Sequence, residues 1–318
     1  MAFEDGLGVD ASQPGVEDYT LSATGIVSQT LSLWARKLVQ YIVIVGIASV
    51  AITLVSFILL LTIFGRIGVI SEDPITYLFG IFSLSTLPDM TLIATTVGFG
   101  IIAFIINAIL SGAGIKFALD DYAGQNAEIG VSFSHAFGRI GRIIVIQLIM
   151  TIIVSIVTGP SIALMGSALE GIDISDPFNP IITPEAIQQM MMASMLLFAG
   201  GIFIVYITVR LVPALAIVMD TDLSAIDSLK KAWEMTSGNF FHVFGSQILI
   251  ILAVGILGIL VSFGVTAIMY LDPLGIVIQT AISALFFSAP NLIFIAVIYR
   301  DLSSRHGISG SDLPEYVL

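Results

Sequence analysis

The chain has 318 residues, of which 57% are hydrophobic and 11% charged, with no cysteine and a formal net charge of −12; its mean hydropathy is +1.05. So little charge cannot clothe a soluble domain of this length, so lipid must solvate most of the surface. The acidic balance speaks against nucleic acid, whose phosphates are held by Lys and Arg, and without cysteine there is no disulfide, thiolate metal site or thiol nucleophile.

The first 24 residues hold Glu4, Asp5, Asp10, Glu17 and Asp18 and no base. A signal peptide needs a basic start with an apolar run close behind, so residues 1–24 read as a disordered acidic tail. Six apolar stretches follow, at residues 38–64, 91–115, 143–169, 187–212, 243–271 and 276–299. Each reaches the ~20 residues that cross about 30 Å of hydrocarbon at 1.5 Å per residue. None alternates with a period of two, which predicts helices and not a barrel. The expected fold is all-α, a polytopic transmembrane helical bundle of six spans over residues 25–302, with a tail over 303–318.

Ten of the eleven Lys and Arg residues fall on one side of these spans. Arg36 and Lys37 precede span 1; Lys116, Arg139 and Arg142 lie between spans 2 and 3; Arg210, Lys230 and Lys231 lie between spans 4 and 5; Arg300 and Arg305 follow span 6. The opposite loops hold Arg66 alone among eight carboxylates. The positive-inside rule then predicts a multi-pass protein of the cell (plasma) membrane with both termini cytoplasmic.

Ahead of spans 1, 3 and 5, apolar residues recur at helical spacing beside bases. Val27, Leu31, Trp34 and Leu38 form the first set, Ile129, Phe133, Phe137, Ile140 and Ile144 the second, and Ile226, Leu229, Trp233 and Phe240 the third. Ser224 with Asp227 reads as a capping box, and Gly238-Asn239 as a helix stop. Each set predicts a short amphipathic helix at the headgroups, turning into the next span. The anchors Trp34, Phe137 and Trp233 lie about 100 residues apart. This spacing predicts three tandem units, near residues 25–116, 127–212 and 222–300, each an interfacial helix followed by a two-span hairpin. The competing reading is the general preference of aromatics and bases for any membrane interface.

Within the third unit, residues 211–251 read LVPALAIVMDTDLSAIDSLKKAWEMTSGNFFHVFGSQILII. Pro213, the run Ala225-Ile226-Asp227-Ser228-Leu229, Ala232-Trp233, Thr236-Ser237-Gly238-Asn239-Phe240 and Val243-Phe244-Gly245 resemble the membrane domain of the glycerophosphodiester phosphodiesterase type and related stand-alone prokaryotic polytopic membrane proteins. Tyr299-Arg300-Asp301-Leu302 looks like the end of that domain. The resemblance implies a membrane fold and supplies no catalytic residue, because hydrolysis in the fused enzymes belongs to a separate soluble barrel.

The candidate contacts with lipid headgroups or a cytoplasmic partner are Trp34, Arg36, Lys37, Lys116, Arg139, Arg142, Arg210, Lys230, Lys231, Trp233, His242 and Arg300. Lys116, Arg210 and Arg300 sit at span ends, where they read as snorkelling anchors or as a ring of cations facing anionic headgroups. The candidate intramembrane polar residues are Asn107, Gln147, Gln247, Gln279 and Asn291, either lining a cavity or bonding between helices. Asn291 follows Pro290, which frees a backbone carbonyl in mid-span. Gly112, Gly114, Gly200, Gly201, Gly255, Gly258 and Gly264 read as close-packing positions. The predicted spans contain no Asp or Glu, which disfavours proton coupling.

His135, His242 and His306 share no metal-ligand spacing, and the acidic stretch from Glu170 to Glu185 reads as a solvated hairpin rather than a calcium loop. No cofactor, metal or catalytic constellation is expected. The pattern predicts a non-catalytic integral membrane protein, acting as a scaffold, accessory subunit or lipid-associated regulator at the cytoplasmic face. Its partners would be membrane lipids, together with a membrane-protein partner or a second copy. The alternative is a small-solute or lipid transporter with a polar path near Arg210, Asn107 and Asn291.

Overall fold

The computed structural model describes residues 19–66, 90–173, 181–269 and 273–306. The predicted loop between spans 1 and 2, most of the acidic tail and most of the tail after span 6 lie outside these residues. Six helices are long and apolar enough to cross a membrane, so the chain is an all-α multi-pass membrane protein.

Helix α1 (Ala23–Arg36) starts where Ser22 Oγ accepts the Gly25 N–H at 3.1 Å. It leads into α2 (Leu38–Tyr41), a π-helical turn over Ile42–Gly46, and α3 (Ile47–Arg66), which together make span 1. Span 2 is α4 (Met90–Tyr122), closed by Gly124 at φ +69°. Next come α5 (Ile129–Gly138) and span 3, α6 (Ile140–Glu170). An antiparallel pairing of Ile172–Asp173 with Ile181–Ile182 then turns the chain, in line with the expected hairpin. Span 4 is α7 (Pro184–Leu211), capped by Thr183, whose Oγ1 accepts the Ala186 N–H at 3.2 Å.

Pro213 interrupts that rod, and the short α8 (Ala214–Asp220) packs against α4 and α9 (Ala225–Thr236). The predicted cap of α9 is present: Ser224 Oγ accepts the Asp227 N–H at 3.1 Å, and Gly238 at φ +83° turns the chain out of the helix. Span 5 is α10 (Phe240–Met269). Span 6 is broken: α11 (Pro273–Phe287) stops at Ser288-Ala289, and α12 (Pro290–Arg305) restarts with Pro290 in its first turn. The sequence read span 6 as one helix with a carbonyl freed ahead of Pro290; proline lacks the N–H that would continue the ladder, and the helix breaks there.

The buried core lies towards one end. Ala113, Ile115, Phe117, Ala118 and Leu119 of α4, Ala216–Met219 of α8 and Ile293–Ile298 of α12 dominate it, and Ile26 and Leu33 of α1 close over them. At 33 residues α4 measures about 50 Å, well beyond the ~30 Å of hydrocarbon. Its overshooting end, with α1, α5, α8, α9 and the end of α12, forms a packed helical cap that carries the basic residues. The far halves of α6, α7 and α10 remain largely exposed along their apolar sides, as lipid-facing rods are.

One boundary and one set of packing positions differ from expectation. Residues 19–24, assigned to the acidic tail, are held: Tyr19 N–H donates to Ser304 Oγ at 3.2 Å and Leu21 N–H to Asp301 Oδ1 at 2.7 Å. Of the glycines expected to mediate packing, Gly112, Gly114 and Gly200 do touch neighbours, but Gly201, Gly255, Gly258 and Gly264 have nothing within 4 Å of a notional Cβ. Those four lie on faces turned away from the described helices. The glycine that is packed hardest is Gly46 in the π turn, where a Cβ would stand 2.5 Å from the Leu285 carbonyl oxygen of α11.

Candidate functional site: an amide-lined cleft above a charge-paired cap

The basic end is built from pairs. Asp121, with a side chain only 4% exposed, accepts from Arg36 at 2.9 Å and lies 2.8 Å from Lys37 Nζ. Lys116 meets Asp120 at 2.7 Å, one helical turn away. Arg139 meets Asp222 at 2.8 Å and donates to the Val218 and Thr221 carbonyls, with Arg142 3.8 Å from the same carboxylate. Arg300 donates to Asp220 at 3.2 Å, and Tyr299 O–H donates to that carboxylate at 2.9 Å. Lys230 stands 3.8 Å from Asp227 on an exposed face. His242 and Arg305 each lie 2.9 Å from Asp301.

Eight of the ten bases on this face therefore have a carboxylate within 4 Å. Of Lys116, Arg210 and Arg300, read as snorkelling anchors or as a ring of cations, Lys116 and Arg300 are each paired with a carboxylate. The acids responsible belong to helix ends that overshoot the predicted spans; α4, predicted to end at Ile115, carries Asp120 and Asp121 into the cap. Trp34, expected at headgroups, donates from Nε1 to the Phe286 carbonyl at 3.2 Å and braces the end of α11.

Arg210 and Lys231 are the two described bases of this face without an ion pair. Arg210 lies among rings, with its guanidinium carbon 5.4 Å from the Tyr206 centroid, 5.1 Å from Trp233 and 5.6 Å from Phe240. Its Nε and Nη1 are buried without a hydrogen-bond partner. Thr236 Oγ1 donates to the Arg210 carbonyl at 3.1 Å and ties the end of α9 to the end of α7.

The polar residues within the spans converge. Asn107 of α4, Gln147 and Thr151 of α6, Thr208 of α7, Gln247 of α10 and Asn291 of α12 line one cleft of about 400 Å³, along with Phe104, Met150, Leu215 and Phe294. Its volume falls in the range of small-molecule sites. No charged side chain among the described residues lines it. Among the described residues, the four carboxamides form no hydrogen bond to another protein group, and Gln247 Oε1 is buried without a partner. Gln279, the fifth candidate, is elsewhere: its Nε2 donates to Ser262 Oγ at 2.7 Å and joins α11 to α10.

On each lining helix the buried core begins just on the basic side of the cleft: Ala108 after Asn107, Ile143 before Gln147, Val243 before Gln247, Leu292 and Ile293 after Asn291. At 1.5 Å per residue, Gln147 lies about 12 Å along α6 from Arg139, and Asn107 about 20 Å along α4 from Asp120. The cleft thus occupies the membrane interior above the paired cap. Sequence reasoning named its four amides but missed Thr151 and Thr208, because a span threonine usually bonds its own helix, as Thr151 Oγ1 does to the Gln147 carbonyl at 2.8 Å.

No protein-family profile, curated protein or solved structure matches the chain.

Proposed function

We propose that the chain is a non-catalytic membrane carrier that receives a small uncharged polar molecule in the amide-lined cleft. One observation carries this reading: five helices each bring an uncharged polar side chain to one intramembrane cleft and leave its amides unused. At Gln247, whose Oε1 is buried, the missing partner costs roughly 1–3 kcal/mol, and an incoming hydroxyl or amide group removes that cost, while Asn107 and Asn291 are exposed. Carboxamides both donate and accept, which suits polyols and amides. An ion would enter without a counter-charge and would be rejected by desolvation.

The packed cap closes the basic side in this arrangement, and alternating access would require its ion pairs to separate. In each tandem unit, a base at the start of the first span meets an acid after the second: Arg36 with Asp121, Arg139 with Asp222, His242 with Asp301. This recurrence supports the threefold repeat, and with the one-sided bases it supports a cytoplasmic cap. The likeness to phosphodiesterase-type membrane domains belongs to the same proposal and adds no activity to it.

The test is osmotic swelling of reconstituted vesicles, followed by stopped-flow light scattering with glycerol, erythritol, urea and acetamide as probes. Uptake of at least one above protein-free vesicles, reduced in Asn291→Leu and Gln247→Leu, is the expected outcome. Uptake equal to protein-free vesicles for all of them sinks the carrier reading.

A second reading is a scaffold, accessory subunit or lipid-associated regulator at the cytoplasmic face. It is favoured by the outward residues of the short helices, where Phe137 is 57% exposed and Trp233 40% exposed. Copurification of a membrane protein in equal amount, with no solute uptake, would select it.

A further inference from the structure

We propose that Arg210 is the headgroup anchor of a specific anionic phospholipid site, on the outer face of the bundle between α7 and α10 and separate from the cleft. A guanidinium at a span end has either an acid or a phosphate to satisfy it, and among the described residues Arg210 has no carboxylate within 4 Å, the unpaired Glu234 beside Trp233 included. The other half-buried arginines of the cap show the contrast: Arg139 and Arg300 each meet a carboxylate, at 2.8 Å and 3.2 Å. Arg210 has three rings and no anion.

The rings fix the plane of the guanidinium. Nε and Nη1 are buried against the rings without partners, which leaves Nη2 as the guanidinium nitrogen open to a phosphate oxygen, in a charge-assisted bond. The level is right as well, because Phe240 is the first residue of span 5 and α9 ends against the Arg210 carbonyl. That height is where phosphodiesters lie.

The surface leading away from Arg210 is apolar. Tyr206 and Phe203 stand four and seven residues back along the same face of α7, Phe203 being 47% exposed, and Phe241 of α10 is 82% exposed beside Phe240. An acyl chain would lie along these rings with its phosphate on Arg210. The occupant is therefore a phospholipid with net negative charge: a zwitterionic headgroup brings its own cation to compete with the arginine, and a soluble phosphate ester leaves the aromatic strip uncovered.

Trp233 makes the site readable. The chain has two tryptophans, and Trp34→Phe leaves Trp233 alone to report quenching by brominated lipid. In vesicles of brominated phosphatidylglycerol or brominated phosphatidylcholine, each diluted into its unbrominated form, the expected result is a preference of about tenfold for the anionic lipid, the size of one charge-assisted bond. Arg210→Gln abolishes the preference, whereas Lys230→Gln with Lys231→Gln leaves it in place. Native mass spectrometry of the unmodified chain from mild detergent reads the site independently, with about one anionic phospholipid retained. Equal quenching by both lipids, a preference that survives Arg210→Gln, no retained lipid, or displacement by soluble glycerol phosphate would each overturn the proposal.

Discussion

His242 Nε2 lies 2.9 Å from Asp301 Oδ2, and that carboxylate has no exposed surface at all. Asp301 also accepts the Leu21 N–H at 2.7 Å through Oδ1 and the Arg305 Nε–H at 2.9 Å through Oδ2. One side chain thus joins the segment before α1, the first turn of α10 and the end of α12. Removing one partner of a buried charged cluster strands the others, at about 3–5 kcal/mol. Arg305 and His242 are partly exposed and recover some hydration, so Asp301→Ala is expected to cost about 3 kcal/mol. Thermal unfolding in detergent should show a drop of several degrees, and Arg305→Gln, which loses the bond to the Leu21 carbonyl but leaves Asp301 its Leu21 N–H and His242 contacts, a smaller one.

The π turn supplies a second prediction. A Cβ on Gly46 would stand 2.5 Å from the Leu285 carbonyl, a backbone atom that cannot rotate away. Gly46→Ala must therefore push α11 off span 1, at about 1–3 kcal/mol for overpacking. Gly255→Ala is the contrast: nothing lies within 4 Å of its notional Cβ, and alanine is the better helix former by up to ~1 kcal/mol. Detergent melting should separate the two in sign.

These cases show what the sequence carried and what it did not. Hydropathy alone defined the six spans, and proline chemistry marked the carbonyl freed ahead of Pro290, because both are local properties of the chain. The pairing of the basic face was not legible from charge counting, although Lys116 sits one turn from Asp120 and Arg305 one turn from Asp301. Helix ends overshoot the bilayer by an amount that hydropathy does not encode, so acids placed outside the spans turn out buried. The amides were visible one by one as polar residues in apolar runs. That Asn107, Gln147, Gln247 and Asn291 face one cleft while Gln279 does not depends on helix rotation and neighbour choice, which no single span records.

Gln247 offers a test that separates stability from function. Its Oε1 is buried and has no protein partner in the cleft, so it costs stability. Gln247→Leu should therefore melt at or above the wild-type temperature, by up to about 1 kcal/mol, and lose solute uptake. A residue kept for packing would show the reverse, with lower stability and unchanged uptake.

His135 makes the cap sensitive to acid. Its ring donates from Nε2 to the Met219 carbonyl at 2.9 Å, tying α5 to α8, and this contact fixes the tautomer with Nδ1 bare. Burial pushes its pKa below the ordinary 6.5; the Met219 carbonyl opposes the shift, Arg139 and Lys116 reinforce it, and Asp120 opposes it. The unfolded chain then binds the proton more readily than the folded one, so stability is full above about pH 6.5 and falls as the pH drops towards the folded value. Unfolding followed between pH 8 and pH 5 should show this loss, and His135→Gln, which keeps a donor for Met219 without a titrating ring, should flatten that part of the profile. An unchanged profile in the variant would assign the acid sensitivity to the carboxylate pairs of the cap instead.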